Sequence, residues 1–168
     1  MKTRKLTFAA MLVALGVAVC NFVYFPVGAS KCTPMQHIIN VLAAVVLGPG
    51  YAVLTAFSIS LLRNMMGVGT LLAFPGSMVG AFLAGILFKK TNSKFMAVLG
   101  EIIGTGILGA LIAYPVAKFM LGKDVAALFF VYPFLINTVV GSIFAFLILK
   151  VIGLSRIFPV SEKEEDGL

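Results

Sequence analysis

Long apolar runs alternate with short polar clusters along this chain. Charge-free stretches cover 6–30, 32–62, 64–88 and 125–149, and 95–117 holds a single charged residue, Glu101. Each is long enough for an apolar helix of about 20 residues, the length that crosses a bilayer core. The second run is broken by Gly48, Pro49 and Gly50, a tripeptide that favours a turn over a continuing helix. It reads either as one kinked span or as a hairpin of two short ones.

The basic residues separate these readings, because Lys and Arg accumulate on the cytoplasmic side of membrane spans. Five crossings put Lys2, Arg4, Lys5, Arg63, Lys118 and Lys123 inside, six against seven outside. Six crossings, with a turn at Pro49, put Lys2, Arg4, Lys5, Lys89, Lys90, Lys94, Lys150, Arg156 and Lys163 inside. That makes nine, against four outside: Lys31, Arg63, Lys118 and Lys123. Only six crossings satisfy the charge rule. The expected fold is an all-α integral membrane protein, one compact bundle over 1–168 with both termini cytoplasmic. Helices are expected at about 6–26, 34–48, 50–66, 71–88, 94–118 and 125–151, followed by a cytoplasmic tail over 152–168. Helix 2, at about 15 residues, reaches roughly 22 Å, short of a roughly 30 Å core. Such a helix is tolerated where its end lies in protein or lines a wet cavity, which draws attention to the loop from Pro26 to Pro34.

Composition agrees: of 168 residues 61% are hydrophobic and 11% charged, with a mean hydropathy of +1.10. Soluble domains are roughly a quarter charged, so a water-soluble enzyme is excluded. The net charge of +7 would suggest a nucleic-acid partner in a soluble protein; here it reads as topology, and no nucleic-acid partner is expected. The segment after Lys2–Lys5 reads as a span rather than a cleaved signal, since its apolar run reaches Pro26 and no small-x-small site ends it. Cys20 follows Val19 where a lipoprotein site needs a small residue. Cys20 in helix 1 and Cys32 in the outer loop suit neither a disulfide nor a metal site.

Polar residues inside spans are costly and demand a partner or a function. Glu101 lies about 7 residues into helix 5, roughly 11 Å from the cytoplasmic end, and Asn137 about 12 residues into helix 6, roughly 18 Å from the outer end. These depths nearly coincide, so the two are expected side by side, holding a ligand or bonding each other. Thr33, Gln36, His37 and Asn40 share one face of helix 2 by their i, i+3, i+4, i+7 spacing. Amide, imidazole and hydroxyl groups beside an outer loop suit recognition of a small polar molecule. Ser60, Arg63, Asn64 and Gly67 repeat the spacing near the outer end of helix 3, where Arg63 either snorkels to the surface or meets substrate. Phe130, Phe134 and Asn137 share a face of helix 6, serving either core packing or a heteroaromatic ligand.

Small residues mark close helix approaches: Ala10, Ala14 and Ala18 on helix 1, Gly76, Gly80 and Ala84 on helix 4, Gly100 and Gly104 on helix 5. Helices 4 and 5 can pair through theirs, whereas the Ala stripe suits internal packing or docking of another protein. The chain has no Walker loop, HExxH or GxSxG and no second intramembrane acid beside Glu101. Neither enzymatic chemistry nor a cofactor or metal is expected, and concentrative uptake would need ion coupling or a partner that supplies energy.

The segments QHIINVLAAVVLGPGYA, beginning at Gln36, and LRNMMGVGTLLAFPGSMVGA, beginning at Leu62, resemble the ThiW family of substrate-binding (S) components of energy-coupling factor (ECF) transporters. The likeness spans nearly the whole chain, and the LGP and LRN spacing is shared by several S components. The resemblance implies six helices, a site near the outer side, and a proposed substrate that is the thiazole precursor of thiamine. It also implies a transmembrane coupling protein, contacted by Ala10, Ala14 and Ala18, which joins two ATPases. Related thiamine-binding S components use a carboxylate and an Asn around the ligand, for which Glu101 and Asn137 are the counterparts. They also stack Trp on the ligand; this chain has no Trp, so Phe and Tyr would substitute, suiting a single ring.

The expected function is capture of hydroxyethylthiazole, or a close thiamine compound, by a cell-membrane subunit of an ATP-driven transporter. The candidate site comprises Tyr24, Gln36, His37, Asn40, Asn64, Glu101, Phe130, Tyr132 and Asn137, with the Pro26–Pro34 loop as lid. An autonomous ion-coupled carrier and a non-transport membrane scaffold are the alternatives.

Overall fold

The structure is a computed structural model that describes residues 2–27, 30–122, 126 and 128–152. Six helices account for most of them: α1 Lys2–Phe22, α2 Pro34–Leu47, α3 Pro49–Met65, α4 Ala73–Thr91, α5 Lys94–Met120 and α6 Val131–Ile152. Among the described residues α1, α5 and α6 contain segments long and apolar enough to cross a membrane alone, Thr3–Phe22, Lys94–Met120 and Val131–Val151. The fold is an all-α membrane bundle with one small addition.

That addition lies where a plain loop was expected. The chain leaves α1 at Phe22, earlier than the expected 26, and forms an antiparallel hairpin of β1 Phe25–Val27 and β2 Ser30–Cys32, with Phe25 opposite Cys32 and Val27 opposite Ser30. Pro26 has no N–H to continue a helix, so the chain goes over to extended pairing. The buried Cys32 thiol donates to the Pro133 carbonyl at 3.5 Å, tying the hairpin to the start of α6. Cys20 and Cys32 are both free and buried. The expected start of helix 6 at 125 and residues 153–168 of the tail lie outside the described residues.

Helix α2 has 14 residues, about 21 Å of rise, and packs against all five other helices. Ten of its residues are buried, so its short length exposes no chain end to hydrocarbon. The turn into α3 is a single residue, Gly48, at φ 87°, a conformation glycine adopts without Cβ strain. Pro49 then opens α3, where a missing N–H costs no helical bond. The turn docks on α4 at Gly85, where a Cβ would come within 2.5 Å of Pro49 Cα.

Helices α4 and α5 approach along their small residues. A Cβ on Gly104 would lie 2.7 Å from Gly80 Cα, and one on Gly100 equally close to the Ala84 backbone. After Met66 the chain turns through Gly67 at φ 71°, which delays α4 to Ala73. At its far end α4 runs through Lys89 and Lys90 and closes on Asn92, whose N–H donates to the Phe88 carbonyl at 2.7 Å. Helix α5 widens to π geometry over Gly104–Gly109 and again over Val116–Met120, directly after Pro115. Because consecutive helices alternate in direction, the starts of α2, α4 and α6 and the ends of α1, α3 and α5 gather at one end of the bundle. Lys2, Lys89, Lys90, Lys94 and Lys150 gather at the other.

Candidate functional site

At the first of these ends the helices enclose a cavity of about 430 Å³. One wall is polar: Thr33 just ahead of α2, Gln36 and His37 from α2, Arg63 from α3, Ser77 from α4 and Thr105 from α5. The facing wall is aromatic, with Phe129, Phe130 and Phe134, and carries Asn137 one turn further along α6. Phe130 meets Phe129 edge-on at 5.3 Å and Phe134 at 6.1 Å, spacings typical of favourable ring pairs. Gly76 leaves room for this wall, since a Cβ there would fall 3.0 Å from the Phe134 ring.

A continuous hydrogen-bond chain fixes the polar wall. Arg63 Nη1 donates to Gln36 Oε1 at 2.7 Å and to Thr33 Oγ1 at 3.2 Å. Gln36 Nε2 donates to Ser60 Oγ at 2.8 Å, and Ser60 Oγ is hydrogen-bonded at 3.1 Å to Ser77 Oγ, which itself donates to the Ala73 carbonyl. These groups come from α2, α3 and α4, so the i, i+3, i+4, i+7 face of α2 meets the repeated spacing on α3. Of the two readings of Arg63, snorkelling to the surface is corrected here: the residue is 5% exposed and lines the cavity. Acceptors on α2 hold the guanidinium inward, a better outcome for a planar set of five donors than reaching past hydrocarbon.

Behind this wall lies the second correction. Glu101 is fully buried and pairs with His37, whose Nδ1 is 2.8 Å from Oε1, rather than with Asn137. Asn40 Nδ2 donates to the same oxygen at 2.9 Å and to the Ser77 carbonyl at 3.2 Å. Thr105 Oγ1 directs its proton between Glu101 Oε1 and the Gly76 carbonyl, each 3.0 Å away. Oε1 thus gathers contacts from His37, Asn40 and Thr105 on two helices. The π turn carries Thr105; such turns recur at functional sites. Gly80 completes the niche, because a Cβ there would fall on Thr105 Oγ1 and within 2.6 Å of Glu101 Oε2. Glu101 Oε2, Asn40 Oδ1, Arg63 Nε and Asn137 Oδ1 have no hydrogen-bond partner among the described residues.

Of the residues singled out from sequence, Gln36, His37, Phe130 and Asn137 line the cavity, and Asn40 and Glu101 stand directly behind it. Asn64 is not in the lining; its amide donates to the Ser60 and Thr70 carbonyls and ties down the α3–α4 connection that forms the rim. Tyr24 and Tyr132, 52% and 69% exposed, also stand outside the lining. Sequence reasoning did not include Phe129, Thr105 or Ser77 in the site; the Phe129-Phe130 dipeptide was a usable signal for the first. Ala10, Ala14 and Ala18 are exposed, while α1 packs inward through Ala9, Leu12, Gly16 and Cys20 on another face. Ala10 and Ala14 line a shallow groove with Leu54 and Leu62 of α3. Among the described residues no group of three His, Cys, Asp or Glu side chains could hold a metal ion.

Such a chamber, apolar on one side and set with fixed donors on the other, suits a small ring with polar substituents. No curated protein matches the chain. Residues 6–155 match the family described as thiamine-precursor transporter protein (ThiW), a span that holds five of the six helices whole, all but the first four residues of α1, and every residue of the cavity wall. The chain therefore belongs to the ThiW family of thiamine-precursor transporters, multi-pass proteins of the cell membrane that bind a small molecule.

Proposed function

We propose that this chain is the substrate-binding subunit of an ATP-driven ECF-type uptake transporter and captures hydroxyethylthiazole or a closely related thiamine compound. The observation that carries this reading is the cavity itself. Its 430 Å³ lies low in the range of roughly 300–1,000 Å³ usual for ligand sites, which favours one ring over two. The ring stacks on Phe130 with Phe129 and Phe134, and Gln36, His37 and Asn137 supply polar contacts. Glu101 and Asn40 act through His37, fixing its ring. The cavity end faces outward and both termini face the cytoplasm, in keeping with the lysines gathered at the opposite end. The chain carries no nucleotide-binding motif, so energy comes from two ATPases through a transmembrane coupling protein that docks on Ala10, Ala14 and Ala18. Their exposure on a face that α1 does not use internally supports that role.

Calorimetric titration of the purified protein in detergent tests the substrate, with hydroxyethylthiazole, thiamine and the pyrimidine precursor as ligands. Saturable one-to-one binding of the thiazole is expected; heat from none of the three would sink the proposal.

A further inference from the structure

The cavity wall contains a positive charge that no acid among the described residues answers. Arg63 is 5% exposed, and two of its five N–H groups are taken up by Gln36 and Thr33, both neutral acceptors. Its Nε has no partner, and among the described residues Arg63 forms no ion pair. Glu101, the one acid behind the wall, is committed to His37 through Oε1, and no carboxylate is among the described residues lining the cavity. A guanidinium removed from bulk water without a counter-charge raises the local potential. The remedy available inside the cavity is the ligand.

We infer that Arg63 sets the charge class of the substrate: the cavity takes a neutral or anionic ring that offers a hydrogen-bond acceptor, and rejects a permanent cation. This rests on the thiazole reading and sharpens it. A free thiazole has an unalkylated ring nitrogen, which is an acceptor. Alkylation of that nitrogen, as in thiamine, removes the acceptor and places a fixed positive charge against a positive wall. Both changes act in the same direction. The relay from Gln36 through Ser60 to Ser77 holds the Gln36 acceptor in place before ligand arrives, so the guanidinium cannot swing away to accommodate a cation without breaking its two hydrogen bonds.

The test compares three probes on the full chain by calorimetry: hydroxyethylthiazole, its N-methylthiazolium derivative, and a methylthiazole carboxylate. The carboxylate should bind at least as tightly as the neutral ring, and the thiazolium at least about 30-fold more weakly, about 2 kcal/mol. Arg63→Gln should shrink that discrimination below about threefold, whereas Arg63→Lys, which keeps the charge, should preserve most of it. Discrimination due only to the bulk of the methyl group would survive Arg63→Gln and would overturn the inference. A thiazolium bound within threefold of the neutral ring, or a carboxylate bound far more weakly than it, would overturn it on the wild-type protein, whether or not Arg63→Gln folds. Failure of all three probes to bind would instead remove the thiazole reading, and this inference with it.

Discussion

Replacing Glu101 by Ala tests whether the buried acid is the fastener between α2 and α5. The substitution strips the acceptor from His37 Nδ1 and Asn40 Nδ2, both on α2. Interhelical hydrogen bonds within membranes are worth about 0.6 kcal/mol on average and up to about 1.7 each. Two such bonds, plus roughly 0.8 kcal/mol for a lost buried methylene, give a destabilisation of about 2–4 kcal/mol. For a chain of this size each kcal/mol moves the midpoint by about 2–4 °C, so the apparent Tm in detergent should fall by about 4–16 °C. Glu101→Gln keeps a carbonyl in place of Oε1 for both donors, at the cost of an amide N–H where Oε2 has no partner, so it should recover at least half of that fall. His37→Ala combined with Glu101→Ala should cost clearly less than the two separately, with a coupling of about 1–2 kcal/mol. Thermal unfolding followed by monodisperse elution reads all four variants against the wild type. A fall below 2 °C for Glu101→Ala, or strict additivity with His37→Ala, would refute the pairing as a structural fastener.

Two further outcomes follow from the packing and from the proposed docking. Gly80→Ala puts a methyl onto Thr105 Oγ1 and against Glu101 Oε2, so α4 and α5 must separate at a cost of about 1–3 kcal/mol. Gly50→Ala, where a Cβ meets nothing within 4 Å, should change stability by no more than about 1 kcal/mol, and equal Tm losses in both would contradict this account. Ala14→Leu enlarges an exposed residue away from the cavity; thiazole affinity should stay within about twofold, by the usual mildness of surface changes. Uptake by cells carrying the coupling partners should be abolished, and parallel loss of binding would argue against external docking.

The residue pattern along the chain was sufficient for the number of helices and the face each presents, though not for the early end of α1 at Phe22 or the π turns of α5. Six helices, the break at Gly48-Pro49, the short α2 and the polar face of Thr33, Gln36, His37 and Asn40 follow from apolar run length and 3.6-residue periodicity, which are local properties. The meeting of α4 and α5 was legible too, because small residues at four-residue spacing permit a close approach that few other sequences allow. What happens between helices was not legible. Equal depth suggested that Glu101 faces Asn137, but depth sets height along a bundle and says nothing about rotation around it. The structure turns Glu101 toward α2, where His37 and Asn40 present two donors. Arg63 is the same case: a long flexible side chain near a helix end can reach water or turn inward. Only the assembled bundle shows that Gln36 and Thr33 lie within reach of its inward course. Helical period is written in the order of residues, whereas the facing of one helix by another is set by packing them all at once, and the cavity and its charge exist only at that level.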